Sequence, residues 1–143
     1  MTLVQKSALV KFSAQQMFDL VNDIEAYPKF LPWCSGSRII KREADFVEAE
    51  LIISKGGFNK SFSTHNQIEN GRRMTVSLLN GPFTSLEGAW EFLPLREDAS
   101  KISLDLEFEM SGKLAVLAFG AVFNQICNTM VTSFTTRAKS VYG

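Results

Sequence analysis

Apolar and polar side chains alternate along most of this chain, and over roughly its last thirty residues the repeat lengthens to that of a helix. Val4, Ala8, Val10 and Phe12 share one face of a first strand. Ser13, with Gln16 three residues on, has the form of a capping box that opens a short helix, and a second helix is predicted from Asp23. Turn signals at Glu43 to Asp45, Gly56-Gly57, Asn70-Gly71, Gly81-Pro82 and Glu97 to Ala99 divide the middle of the chain into six strand-length segments. Within them Val47, Ala49, Leu51 and Ile53 alternate, then Met74, Val76 and Leu78, then Ile102, Leu104, Leu106, Phe108 and Met110. Ser103, Asp105, Glu107 and Glu109 point the other way, so the pattern predicts an antiparallel meander with one wet and one apolar face.

From Leu114 to Thr136 there is no charged residue. That run is long enough to span a bilayer, but Asn124, Asn128, Thr132 and Thr136 recur every four residues and form a polar stripe. Phe119, Phe123, Ile126, Met130 and Phe134 form an apolar one, as expected of a helix packed on a sheet. The fold class predicted is α+β, a single domain over residues 1–143: a seven-stranded antiparallel sheet wrapped around a long C-terminal helix, with two short helices after the first strand. A sheet wrapped around one helix tends to enclose a cavity. Its inward candidates are Phe62, Leu78, Trp90, Phe92 and Phe108 from the sheet and Phe119, Phe123, Ile126 and Met130 from the helix. Alternate turns of a meander lie at one end of the sheet, which brings Phe58 and Phe83 together with Leu114 and Leu117 as a greasy gate.

Composition adds mostly exclusions. Fifteen Lys and Arg balance fifteen Asp and Glu, so no global field recruits DNA or anionic lipid. A polyanionic partner would need a local patch, for which Arg38, Lys41 and Arg42, and Arg72 with Arg73, are the candidates. The single histidine, His65, falls on the wet side of its strand. No catalytic set and no metal-ligand spacing can be assembled around it, so neither catalytic nor metal residues are expected. Cys34 and Cys127 read as buried free thiols. The chain starts directly in a strand-like alternation, which fits a cytoplasmic protein.

The segment Tyr27-Pro28-Lys29-Phe30-Leu31-Pro32-Trp33-Cys34 stands apart. Two prolines and three aromatics predict a rigid apolar corner that neither continues a helix nor enters a central strand. Its wording resembles the signature of the coenzyme Q-binding START-like proteins and of their bacterial relatives called ribosome association toxins. Phe62-Ser63-Thr64-His65-Asn66, then Gly81-Pro82-Phe83, then Leu86, Gly88, Trp90 and Phe92, and finally Phe134, Arg137, Ala138 and Val141-Tyr142-Gly143 extend the likeness over the whole chain. His65 departs from it, standing where those relatives would have Arg or Lys.

The resemblance implies a helix-grip fold and a non-catalytic binder of an elongated apolar lipid. Ubiquinone is then the first choice of ligand, carried or presented to the respiratory chain with transient contact at the inner membrane. It leaves open a second role, binding the large ribosomal subunit and hindering subunit joining, and a distant third as a cyclase-like enzyme. No cofactor other than a bound ubiquinone or related lipid is implied.

Overall fold

The computed structural model describes residues 2–112 and 118–143. Its strands are β1 (Thr2–Val10), β2 (Cys34–Arg42), β3 (Phe46–Lys55), β4 (Phe58–Glu69), β5 (Arg73–Asn80), β6 (Phe83–Arg96) and β7 (Ala99–Met110). They form one antiparallel sheet in the order β1-β7-β6-β5-β4-β3-β2. Helix α1 (Ala14–Asn22) and a 3-10 turn (Ile24–Lys29) follow β1, and the long helix α2 (Phe119–Tyr142) closes the chain.

Local chemistry explains these elements. The Ser13 hydroxyl accepts from the Gln16 amide at 3.0 Å while the Gln16 side chain accepts from the Ser13 amide at 2.9 Å, the reciprocal cap expected from the sequence. The sheet curls around α2 because its strands are bent at bulges in β2, at the β4/β5 pairing and at both ends of β6. Gly88 lets β6 and β7 close up: a Cβ there would lie 2.0 Å from the carbonyl oxygen of Asp105.

On α2, Phe123, Ile126, Cys127, Val131, Phe134 and Ala138 are buried, whereas Asn128, Thr132 and Thr136 are exposed. The two stripes read from the sequence are therefore the inner and outer faces of one helix. Among the described residues no helix is long and apolar enough to cross a membrane.

The proline corner departs from expectation. Tyr27, Pro28 and Lys29 do continue a helix, as the second half of the 3-10 turn. A short 3-10 turn tolerates a residue without an N–H, and the chain leaves it through Phe30 and Leu31 amides that both donate to the Tyr27 carbonyl, at 3.2 and 2.9 Å. The Tyr27 hydroxyl donates back to the Val21 carbonyl, tying the turn to α1.

Candidate functional site

Between the inner face of the sheet and α2 lies a cavity of about 80 Å³. The 3-10 turn contributes Ile24 and Tyr27, the corner Trp33, and α2 Phe123, Ile126, Cys127 and Met130; β3 to β7 supply the remaining wall. Among the described residues none that lines it is charged.

The wall is apolar except for a few polar side chains. Tyr27 is bonded to Val21, and burial pushes its phenol far above the ordinary range. Thr64 is buried beside the cavity. Trp33 and Asn66, 5% and 6% exposed, are both incompletely satisfied: the Trp33 indole N–H and the Asn66 amide oxygen have no hydrogen-bond partner among the described residues. The Asn66 amide N–H₂ reaches only the Met74 sulfur at 3.7 Å, a weak acceptor. Leaving such groups unmade costs on the order of 1–3 kcal/mol each, so an apolar chamber with two idle polar groups is suited to a guest that carries a small polar head.

Of the residues expected inside the grip, Phe62, Trp90, Phe123, Ile126 and Met130 line this cavity; Leu78, Phe92, Phe108 and Phe119 do not. Each correction has a local cause. Leu78 keeps the inward facing of Met74 and Val76 and pairs with Thr64, but it stands at the end of β5, where a bulge just beyond it breaks the ladder to β4, and it packs half-buried against the core outside the chamber. Phe92 lies beyond the cavity, edge-on to Phe18 of α1 at 5.6 Å, because α1 covers that end of the sheet. Phe108 and Phe119 join Phe58, Phe62, Phe83 and Phe123 in an aromatic plug, with ring centroids 4.8–6.4 Å apart.

That plug sits where the gate was expected. Phe58 and Phe83 do meet there, both against Phe119, at 5.6 and 6.4 Å. Phe83, however, is no exposed tip: it is 6% exposed and packs edge-on to Phe62, Phe108 and Phe123, because Gly81 turns β6 inward over the sheet. Leu114 and Leu117 lie outside the described residues. A second aromatic cluster closes the other end. Phe134, fully buried, meets Tyr27, Phe30 and Trp90 at 5.2–5.4 Å, so the signature segment packs as the dock for α2. Leu31, Trp33 and Cys34 are buried in this dock, while Pro28 and Pro32 face outward.

Chemistry outside the cavity is sparse. His65 stacks on Phe46 and bonds to Glu48 at 2.8 Å and Gln67 at 3.0 Å on the outer face, and the Glu48 carboxylate raises its pKa above 6.5. Both cysteines are free and buried; burial pushes Cys127 up to about 12 and raises Cys34 also. Among the described residues no three His, Cys, Asp or Glu gather as metal ligands. The basic patch expected on β2 is largely spent within the protein: Arg38 pairs with Glu50 at 2.9 Å, Lys41 lies 3.9 Å from Glu43, and Arg42 donates to Asn22. Asn66, Met74 and Cys127 were not foreseen as cavity residues. The signal for Asn66 is its place as the last residue of the Phe62-to-Asn66 motif, a polar residue on a buried face.

A family model described as "Polyketide cyclase / dehydrase and lipid transport" matches residues 10–135. The chain belongs to that family. Within it, "Ribosome association toxin RatA" of Vibrio cholerae is 50% identical over 143 residues, covering 100% of this chain and 99% of the relative. A protein of Xenopus laevis named as a mitochondrial coenzyme Q-binding protein homolog is 25% identical, covering 96% of this chain and 58% of its own length. Among solved structures, a START superfamily protein from Mycobacterium smegmatis superposes with a TM-score of 0.77 at 23% identity, covering 97% of this chain and 98% of the other. The helix-grip fold inferred from the signature segment is the fold of this family member.

Proposed function

We propose that this protein associates with the large ribosomal subunit and thereby hinders subunit joining. The observation that carries this reading is the end-to-end likeness, at 50% identity, to a protein named for ribosome association. It takes precedence over ubiquinone carriage, which rests on a relative at half that identity. The cavity is also small for that ligand: about 80 Å³, against roughly 300–1,000 Å³ for ordinary ligand sites, so an isoprenoid tail enters only if the grip opens. The test is a sucrose gradient of purified protein with separated subunits. Co-migration with the large subunit and a reduced peak of joined ribosomes is the expected result; protein left at the top of the gradient with joining intact overturns it.

A second reading is favoured by the idle Trp33 N–H and Asn66 amide. The chamber takes the head of an uncharged lipid, a carbonyl accepting from Trp33 and an oxygen or hydroxyl meeting the Asn66 amide, which offers both an acceptor and donors. A quinone or quinol meets this description. The protein holds such a guest without transforming it, since the wall carries no charged group and its only titratable side chains, Tyr27 and Cys127, are both pushed up by burial. Mass spectrometry of an organic extract, from protein purified without detergent, detects the guest. Trp33→Phe is expected to lower recovery, and equal recovery from both proteins would remove the indole from the site.

A further inference from the structure

Resting on the ribosome reading above, we propose that the outer face of α2, with the exposed edge of the proline corner, is the surface that grips the phosphodiester backbone of ribosomal RNA. An open groove of about 550 Å³ runs between the corner and α2. The corner lines it with Lys29 and Phe30, and α2 with Arg137, Ser140, Thr132 and Thr136. Among the described residues no carboxylate lines it. On the far side of the same Asn128, Thr132 and Thr136 stripe a second groove of about 250 Å³ carries Lys6 and Lys139, again with no acid. Four cations therefore flank one polar stripe.

The sequence composition of the elements reinforces this charge. Neither β1 nor the whole of α2 contains an Asp or Glu. Asp19 and Asp23 are felt at Tyr142, and Asp23 also at Tyr27 in the corner, but neither lines either groove. Among the described residues none of Lys6, Lys29, Arg137 and Lys139 forms an ion pair, in contrast to Arg38 and Lys41 on β2.

Arg137 is held ready for an anion. Its guanidinium lies over the Phe30 ring, 5.0 Å from the centroid, which fixes the head group without neutralising it. It makes no hydrogen bond among the described residues, and its Nε is buried without a partner. The hydroxyls divide in the same sense. Thr129 and Thr135 donate to carbonyls within α2, whereas those of Thr132, Thr136 and Ser140 have no partner among the described residues. A guanidinium held on a ring, unpaired ammonium groups and a row of idle hydroxyls match the donors that position a protein on phosphate without reading sequence. The lone polar stripe on α2 and the exposed part of the signature segment find one role together.

The experiment is co-sedimentation with salt-washed large subunits at about 50 and 200 mM salt, using the full chain. Each phosphate contact contributes about 0.9 to the slope of log affinity against log salt, so Lys29→Gln with Arg137→Gln is expected to flatten that slope by about 2 and weaken binding at least tenfold at low salt. Thr132→Glu with Thr136→Glu, at exposed helix positions that leave the Phe30–Arg137 contact untouched, is expected to weaken binding similarly and keeps the test decisive should the first variant misfold. Arg38→Gln with Lys41→Gln and Arg42→Gln is expected to bind as the parent does. If both groove variants bind like the parent while the β2 variant loses binding, the groove is not the contact and the ribosome reading still stands. If folded parent protein fails to co-sediment even at low salt, that reading falls and takes this one with it. Loss of binding to phosphatidylglycerol vesicles in the groove variants, with subunit binding unchanged, would assign the surface to a membrane and overturn the proposal.

Discussion

Filling the cavity from β3 tests whether the space between sheet and helix is real. Ala49 is 3% exposed, pairs with Ile39 and Thr64 across the sheet, and lines the chamber. Ala49→Leu adds three carbons at that wall. In a true void each is worth about 0.8 kcal/mol of burial, for a gain of at most about 2.4 kcal/mol. Where the interior is already full, the same carbons force neighbours off their rotamers at a cost of about 1–3 kcal/mol. The two outcomes differ in sign, and for a chain of this size each kcal/mol moves the melting temperature by roughly 2–4 °C. Urea unfolding with an unchanged m-value gives the free energy directly. We expect Ala49→Leu to be neutral or stabilising and to lower recovery of any lipid. A loss of more than about 1 kcal/mol, within the overpacking range, would refute the cavity and with it the ligand-holding role.

Three further outcomes follow from the geometry. Phe83→Ser is expected to cost about 3–5 kcal/mol, the range of a large-to-small change in a packed core, and Phe58→Ser distinctly less because Phe58 is half-buried; equal small losses would return Phe83 to an exposed tip. The His65 imidazole is expected to titrate above 6.5 by NMR and to move down in Glu48→Gln; since its folded pKa is raised, the stability it adds is present below the ordinary value and fades as pH rises through the folded one, and an unmoved midpoint would discard the ion pair. Neither Cys34 nor Cys127 is expected to react quickly with a disulfide reagent near pH 8, and fast labelling of Cys127, whose pKa burial pushes up to about 12, would show that the grip opens without unfolding.

The meander was legible because its signals are local. Alternation in β7 and turn residues such as Gly56-Gly57 specify facing and strand ends without reference to distant parts of the chain, and the Ser13/Gln16 cap is complete within four residues. The errors have the opposite character. Leu78 has the inward facing that alternation along β5 gives it, in step with Met74 and Val76, but it lies at the strand's end, past the stretch that walls the chamber. Phe92 and Phe108 do point inward, but which part of the inner face becomes chamber, plug or floor depends on where α1 and α2 lie over a curved sheet. No periodicity in the strand reports that.

The same reasoning explains why the polar features were the hardest to see. Asn66 alternates in step with Thr64 and Phe62, so its burial followed from the strand pattern, yet that its amide oxygen lacks a partner among the described residues is a property of the space opposite it. Lys29 and Arg137 are far apart in sequence and unremarkable singly; each has the ordinary reading of a solvated surface cation. Only the packing of Phe134 against Tyr27 and Phe30 brings the proline corner alongside α2, and only then does Phe30 carry the Arg137 guanidinium on its ring. One aromatic cluster thus seals the chamber on its inner side and sets the spacing of cations on its outer side. Substitutions at Phe134 are for that reason unsuited to separating the two roles, whereas Ala49 acts on the chamber alone and Thr132 on the outer face alone.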